Sequence, residues 1–408
     1  MHFDQKEIDA FWTALAPSWN RQPVLVKRPF SRPFVDEREF LGFLQGWAQE
    51  GRDGQRMIGV PMIDADALPR PEDCTLEAFE RRIADRWPRD WYLYLSDGIQ
   101  QYDGGVWERA VEIIRPALRL QGGLPAGGMM LDLFYGKYRS TPTGIHLDSS
   151  DNLAFVVRGP KRLLFWPPER FAVKLASPPR NPSHQQALTG RYGDHLDDAT
   201  VIDAEAGDVI YWPKEFWHIS TSDNWSGMVT LPIWWKASAA NLAQTMVPRL
   251  LDLRGESRFY DLDVDDVASA ASELPASLGE MVATVKEQVN ARLESTAKIA
   301  WAKFVTAYGF TTPPAPREAS DVTDTTRVRV AHPIVPIDLG RAVAVIACGQ
   351  QMLTPCRALI PVVREMRAGS EHSVADLDRL LPVVDADASR RLTQMVRQLV
   401  SFRALDVV

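Results

Sequence analysis

The segment His146-Leu147-Asp148, answered far downstream by His218, constrains this chain more than any other feature. Side chains at i and i+2 share one side only where the backbone is extended. If His146 and Asp148 converge on a common partner, Thr143–Asp148 must run as a strand. A third donor must then come from a neighbouring strand, and Asp208-Val209-Ile210-Tyr211-Trp212-Pro213 followed by Trp217-His218 supplies one. Such a pattern requires a β fold that lays distant segments side by side.

Short apolar runs recur to build it. They lie at Val24–Lys27, Trp91–Leu95, Met129–Tyr135, Leu153–Val157, Leu163–Trp166, Asp208–Trp212 and Met228–Trp235, separated by Gly and Pro turns. Many short strands with such punctuation read as a sandwich or barrel. Helical spacing appears at Ile8, Phe11, Trp12, Leu15 and again at Phe40, Leu41, Phe43, Leu44, Trp47. The Pro-rich stretch Pro167–Pro182 breaks the pattern and reads as a surface loop over the barrel mouth.

Two imidazoles and a carboxylate on one face of a metal leave three positions open, which is the donor set of non-heme Fe(II) oxygenases. Lys161 shares strand parity with Leu163 and Phe165, so on a barrel-lining face its ammonium points inward. A buried cation is costly unless paired, and a small dicarboxylate ligand would pair it. Taken singly, each residue has a plainer reading: Lys161 as an exposed lysine at a strand start, Thr143 or Asn152 as a turn residue, Tyr211, Trp212 and Trp217 as core. Their occurrence together, in order, on strand-like segments favours a metal site. His2, His184, His195, His332 and His372 lack such settings and read as structural or surface residues.

Thr143-Gly-Ile-His146-Leu-Asp148-Ser-Ser-Asp-Asn152, then Lys161-Arg-Leu-Leu-Phe165-Trp-Pro-Pro168, then Gly207-Asp208 through Trp217-His218, resembles the JmjC branch of the cupin-fold 2-oxoglutarate-dependent oxygenases. Within that branch the chain is similar to the factor-inhibiting asparaginyl hydroxylase and the ribosomal oxygenases over roughly Tyr92–Trp235. The resemblance implies a double-stranded β-helix with appended helices, and Fe(II) held by His146, Asp148 and His218. It implies 2-oxoglutarate as co-substrate, with Lys161, Thr143 and Tyr94 at its distal carboxylate and Asn152 near its metal end. It also implies dioxygen as oxidant and hydroxylation of a side chain in a protein or peptide substrate. Pro232 stands where the asparaginyl hydroxylase has an Asn before its final aromatic pair, so the metal-chelating end of the co-substrate is contacted differently. An N-methyl demethylase using the same chemistry, or a non-catalytic cupin-like binding protein, are the alternative readings.

The 408 residues suffice for two or three domains with real cores. The expected division is a catalytic domain over 1–240, a helical region over 241–310, a linker over 311–326 and a last domain over 327–408. Helical spacing marks Leu242, Met246, Leu250 and Leu251, and Leu278 to Tyr308 reads as one long or two shorter helices. In the ribosomal oxygenases the equivalent helices pair subunits, which implies a homodimer. Thr311-Thr-Pro-Pro-Ala-Pro-Arg is a linker by composition. Beyond it, strand-like Arg327–Ala331 and Val343–Cys348 precede helix-like Ala358–Arg367 and an amphipathic helix with Leu392, Met395, Val396 and Leu399. This order is similar to the winged-helix-like end of the ribosomal oxygenases.

A net charge of −7 argues against general nucleic-acid binding. No apolar stretch has the length of a membrane span, and Cys74, Cys348 and Cys356 form neither a zinc pattern nor a disulfide framework. A reducing cytoplasm is the expected compartment.

Overall fold

Strands this short bury their side chains only by closing on one another, and in the first half of the chain they do. The computed structural model describes residues 2–50, 67–86, 90–141, 144–171, 192–236, 276–318, 321–382 and 386–408. They fall into two compact units, Met1–Lys236 with Tyr308–Glu318, and Ala237–Ala307 with Ala319–Val408.

In the first unit, strands β1 (Val24–Val26), β2 (Trp91–Leu95), β3 (Gly128–Met129), β4 (Asp132–Tyr138), β5 (Asp151–Arg158), β6 (Lys161–Trp166), β7 (Thr200–Ala204), β8 (Val209–Trp212) and β9 (Trp217–Trp234) pair antiparallel. The order is β1-β8-β5-β9-β4-β2, with β3 on β9 and β6 between β7 and β9. The first part of β9 pairs with β6, from Trp166↔Trp217 to Arg162↔Thr221. Its second part pairs with β5 and β4, as in Leu153↔Leu231 and Asp132↔Thr230. One strand thus serves both layers of a cupin fold.

Period-two alternation fills the space between the layers. Ala154 and Val156, Leu163 and Phe165, Ile202 and Ala204, and Ile210 and Trp212 meet Met228 in one apolar cluster. Helices cover the other face. Helix α1 (Gln5–Leu15) is capped by the Asp4 carboxylate and buries Ile8, Phe11, Trp12 and Leu15. Helices α2 (Glu37–Glu50) and α3 (Leu76–Arg86) are tied to the end of β5 by Arg158, whose guanidinium meets Glu37, Glu77 and Glu80. Helix α4 (Gly104–Gln121) starts on the Asp103 cap and ends where Gly122 turns left-handed at φ 74°.

Three expectations change in detail. Met228–Trp235 is the tail of the much longer β9, whose continuation is masked in the sequence by the polar Ser222-Asp223-Asn224 and by Gly227. Strand β7 was not anticipated, because three of its five side chains are exposed and leave no apolar run. Around His146 there is a single two-residue bridge to His218 in place of a continuous strand. Gly144, at φ 68°, bends the chain there and donates to the Thr141 carbonyl. Of the Pro-rich stretch, Pro167 to Phe171 is described, and the rest lies outside the described residues. The segment Tyr308–Glu318 belongs to this first unit: Phe310 bridges Met129, Ala315 donates to the Gln100 carbonyl, and the Thr311 and Thr312 hydroxyls donate to the Asp97 carboxylate.

The second unit contains helix α5 (Ala276–Thr306), one helix rather than two. Leu242, Met246, Leu250 and Leu251 lie outside the described residues. Ile299 and Ala302 of α5 pack on a sheet of β11 (Ile334–Asp338), β12 (Val343–Ala347) and β13 (Gln350–Thr354). A second sheet has the order β14 (Glu371–Ser373), β10 (Arg327–Val330), β15 (Leu405–Val407). Helices α6 (Leu359–Glu365), α7 (Val374–Asp378) and α8 (Ala386–Ser401) complete it. Helix α8 buries Leu392, Met395, Val396 and Leu399, as its spacing required.

Candidate metal centre

The bridge between His146 and His218 brings the separated parts of the motif together. His146 N–H donates to the His218 carbonyl at 3.0 Å and His218 N–H to the His146 carbonyl at 2.8 Å. The two rings lie 4.3 Å apart between centroids. The Asp148 carboxylate faces both, 3.4 Å from His218 Nε2 and 3.7 Å from His146 Nε2. One donor atom from each of the three lies within 4.8 Å of the others, close enough to hold a single ion.

The hydrogen bonds fix the ring tautomers. His146 Nδ1 lies 2.9 Å from the Gly144 carbonyl and His218 Nδ1 3.2 Å from the Phe216 carbonyl. A carbonyl only accepts, so Nδ1 carries the proton in each ring. Nε2 of each ring is then the nitrogen turned to Asp148 and to the space between them, the atom left to a metal. Burial pushes the Asp148 carboxyl up, but His218 and His146 outweigh it and hold the group below the usual carboxylate range. Asn152 Nδ2 donates to Asp148 Oδ2 at 3.0 Å and to the Ser150 carbonyl at 3.0 Å. Asn152 therefore joins the His-Asp-His cluster through Asp148. Pro232, directly opposite it on β9, has no side-chain donor to add.

Lys161 is buried to 1% exposure. Its ammonium donates to the Tyr138 hydroxyl and lies 4.6 Å from that ring's centroid. The Tyr138 hydroxyl is 3.2 Å from Ser220 Oγ. Thr141, whose backbone N–H donates to the Ser220 carbonyl, carries a buried hydroxyl without a partner among the described residues. No carboxylate pairs with Lys161 among the described residues. Ser220 is two residues from His218 on β9, and a strand rises about 3.3 Å per residue, so the two stand roughly 7 Å apart along the barrel.

Tyr94, expected beside Lys161, instead donates to Asp132 Oδ2 at 2.8 Å and stacks on Phe134 at 4.4 Å. It pairs across from Phe134, so the diagonal neighbour Asp132 is the group in its reach. The tyrosine at Lys161 is Tyr138, which sequence reasoning passed over. The one signal for it was parity: Asp132, Phe134 and Tyr138 alternate on β4. Thr143 lies outside the described residues.

Asp132 is itself buried, with Oδ1 accepting from the Asp97 N–H at 2.8 Å. Burial pushes its carboxyl up to about 7 from 3.8, the Asp97 N–H and Tyr94 hydroxyl opposing. In the unfolded chain the group ionises near its ordinary value. Between pH 4 and 7 the unfolded chain therefore sheds a proton that the fold retains, and stability falls through that window and levels off above it. In metal-free protein, Asp132→Asn should gain roughly 2–4 kcal/mol at pH 8 and little at pH 4. Calorimetric unfolding at the two pH values checks this; equal shifts at both would show that Asp132 is ionised in the fold throughout.

Residues 74–241 match the family described as the cupin-like domain. The lysine-specific demethylase JMJ31 of Arabidopsis thaliana is 23% identical over 245 residues, 57% of this chain and 40% of that protein, so the chain spans about two fifths of its relative's length. Among solved structures, Escherichia coli ycfD is similar at 16% identity with a TM-score of 0.48, over 97% of this chain and 98% of that one. The ribosomal oxygenase YcfD from Escherichia coli, in complex with cobalt and 2-oxoglutarate, is similar at 16% identity with a TM-score of 0.46, over 97% of this chain and 98% of that one. His146, Asp148 and His218 all lie within the stretch 74–241 that matches the cupin-like domain family, gathered among its antiparallel strands.

Proposed function

We propose that this protein is an Fe(II)- and 2-oxoglutarate-dependent oxygenase that hydroxylates a side chain of a protein or peptide. The observation that carries the reading is the nearness of two incomplete sites: a His-Asp-His donor set that includes His218 of β9, and a buried Lys161 on β6, linked through the Tyr138 hydroxyl to Ser220 two residues along β9, with no carboxylate partner among the described residues. The spacing fits a five-carbon diacid that chelates with one end and meets Lys161 with the other. Iron with a chelating 2-oxo acid supplies oxidative decarboxylation coupled to replacement of C–H by C–OH.

His146, Asp148 and His218 hold the metal, and Gly144 and Phe216 carbonyls keep the two imidazoles in the ligating tautomer. Lys161, with the Tyr138, Ser220 and Thr141 hydroxyls around it, receives the distal carboxylate. Phe165, Trp212 and Ile210 wall the interior with apolar surface, so that water is kept from the reacting centre. The relative's name adds the reading in which the hydroxylated carbon is an N-methyl group. We read residues 327–408 as a winged-helix-like module that docks a macromolecular substrate, and the helical region 241–310 as the part through which two copies pair.

The experiment is mass spectrometry of the host proteome with and without the protein, searching for a gain of one oxygen on a side chain. Succinate formed from 2-oxoglutarate by the Fe(II)-loaded protein is the accompanying assay. A protein that binds neither Fe(II) nor 2-oxoglutarate would end the reading, and formaldehyde released with the succinate would assign the demethylase alternative.

A further inference from the structure

Asp151 fastens together the two segments that carry the candidate metal donors. Neighbouring side chains of a strand point to opposite faces. Asn152 turns inward to Asp148 Oδ2, and Asp151, 3% exposed, turns the other way. Its Oδ1 accepts from the Lys214 backbone N–H at 2.9 Å and its Oδ2 from the Trp235 indole N–H at 2.8 Å. Lys214 belongs to the turn between β8 and β9, closed by the Phe216 N–H on the Pro213 carbonyl at 3.2 Å. The Phe216 carbonyl, at the end of that turn, is the one that holds His218 Nδ1. On the other side the Trp234 indole N–H donates to Ser149 Oγ at 2.9 Å, one residue after Asp148. Ladder pairing cannot set this turn: β8 pairs with β5 only as far as Asn152↔Trp212, and the pairing of β9 with β6 starts at Trp217. A buried carboxylate is costly unless its oxygens are satisfied, and this one is satisfied where the two segments meet.

We propose that Asp151 is a positioning residue that, on the metal-site reading above, fixes the distance between Asp148 and His218. It ties the turn that orients His218 to the start of β5, beside the Asn152 that orients Asp148. The donors are thereby held at their spacing before an ion arrives, so that binding has less ordering to supply.

Asp151→Asn keeps the shape, but an amide offers one acceptor oxygen to two facing N–H groups, so one contact becomes N–H against N–H. Its Fe(II) affinity, measured anaerobically by titration of the whole protein, should fall about tenfold, the scale on which outer partners of metal ligands act. Asp151→Ala, which loses both acceptors, should fall at least as far. With the site saturated by Co(II), the visible ligand-field bands of both variants should shift from those of the wild type, because the donors close on the ion in altered geometry. Tyr135→Phe controls for the plain loss of a buried hydrogen bond, since its hydroxyl donates to Glu80 beside the helix-borne rings of Phe40 and Phe79. It should lower the unfolding temperature and leave affinity and bands as in the wild type. Wild-type affinity and bands in Asp151→Asn overturn the proposal. So does an affinity loss with unchanged Co(II) bands, or one that Tyr135→Phe reproduces at an equal fall in unfolding temperature; either would leave Asp151 a role in stability alone. A wild-type protein that takes up neither Fe(II) nor Co(II) would instead refute the metal centre, taking this inference with it.

Discussion

His146→Ala, Asp148→Ala and His218→Ala should each yield a folded protein that no longer retains Fe(II). Each removes one of three donors, and the loss should exceed the roughly 10–100-fold that follows removal of an outer partner alone. The fold should survive because the three are joined to the barrel mainly through backbone: the reciprocal His146–His218 bridge remains in any of the variants. Metal content after anaerobic loading and desalting, with circular dichroism as the check on folding, reads the result. Should one variant keep wild-type affinity, that residue is not a ligand, and the remaining pair would need a donor from elsewhere.

The second large effect concerns Lys161, and it has two opposite signs. A buried ammonium that meets the hydroxyl and ring of Tyr138 and, among the described residues, no carboxylate is a burden on the metal-free fold. Lys161→Met keeps most of the side-chain volume without the charge, so the metal-free variant should be more stable, by roughly 1–3 kcal/mol. The same change should weaken 2-oxoglutarate by about ten- to a hundredfold, the worth of a charge-assisted hydrogen bond, with Fe(II) affinity intact. Calorimetric unfolding and 2-oxoglutarate titration on the same preparation separate the two. A variant that is less stable and binds 2-oxoglutarate normally would make Lys161 a structural residue, its charge already compensated inside the barrel.

Much of this was legible in the chain because strand parity is a strong constraint. The apolar runs at Trp91–Leu95 and Leu153–Val157 are strands, and the inward direction of Lys161 followed from Leu163 and Phe165 alone. The meeting of His146, Asp148 and His218 also needed no coordinates to be expected, since two of the three lie two residues apart and the third follows a buried strand. What stayed hidden depended on register. Tyr138 meets Lys161 because β6 pairs with β9 at Leu163↔Ser220, and the parity of Tyr138 on β4 gives its face but not its partner. Tyr94 was given a carboxylate to hold, and it has one, but the carboxylate is Asp132 from the next strand. Strand β7 and the middle of β9 were missed for a related reason: exposed or polar stretches pair through backbone, which composition does not record.

The 18-residue strand β9 also works as a ruler. A hydrogen-bonded strand hardly stretches, so the interval between His218 and Ser220 is set by two peptide units and cannot adapt to its ligand. Reach, rather than charge alone, then decides what the barrel accepts. Oxaloacetate, one carbon shorter than 2-oxoglutarate, should leave its far carboxylate short of Lys161, and 2-oxoadipate, one carbon longer, should have to buckle. Both should bind more weakly than 2-oxoglutarate, and competition titrations against it would show equal affinity only if Lys161 moved to follow them.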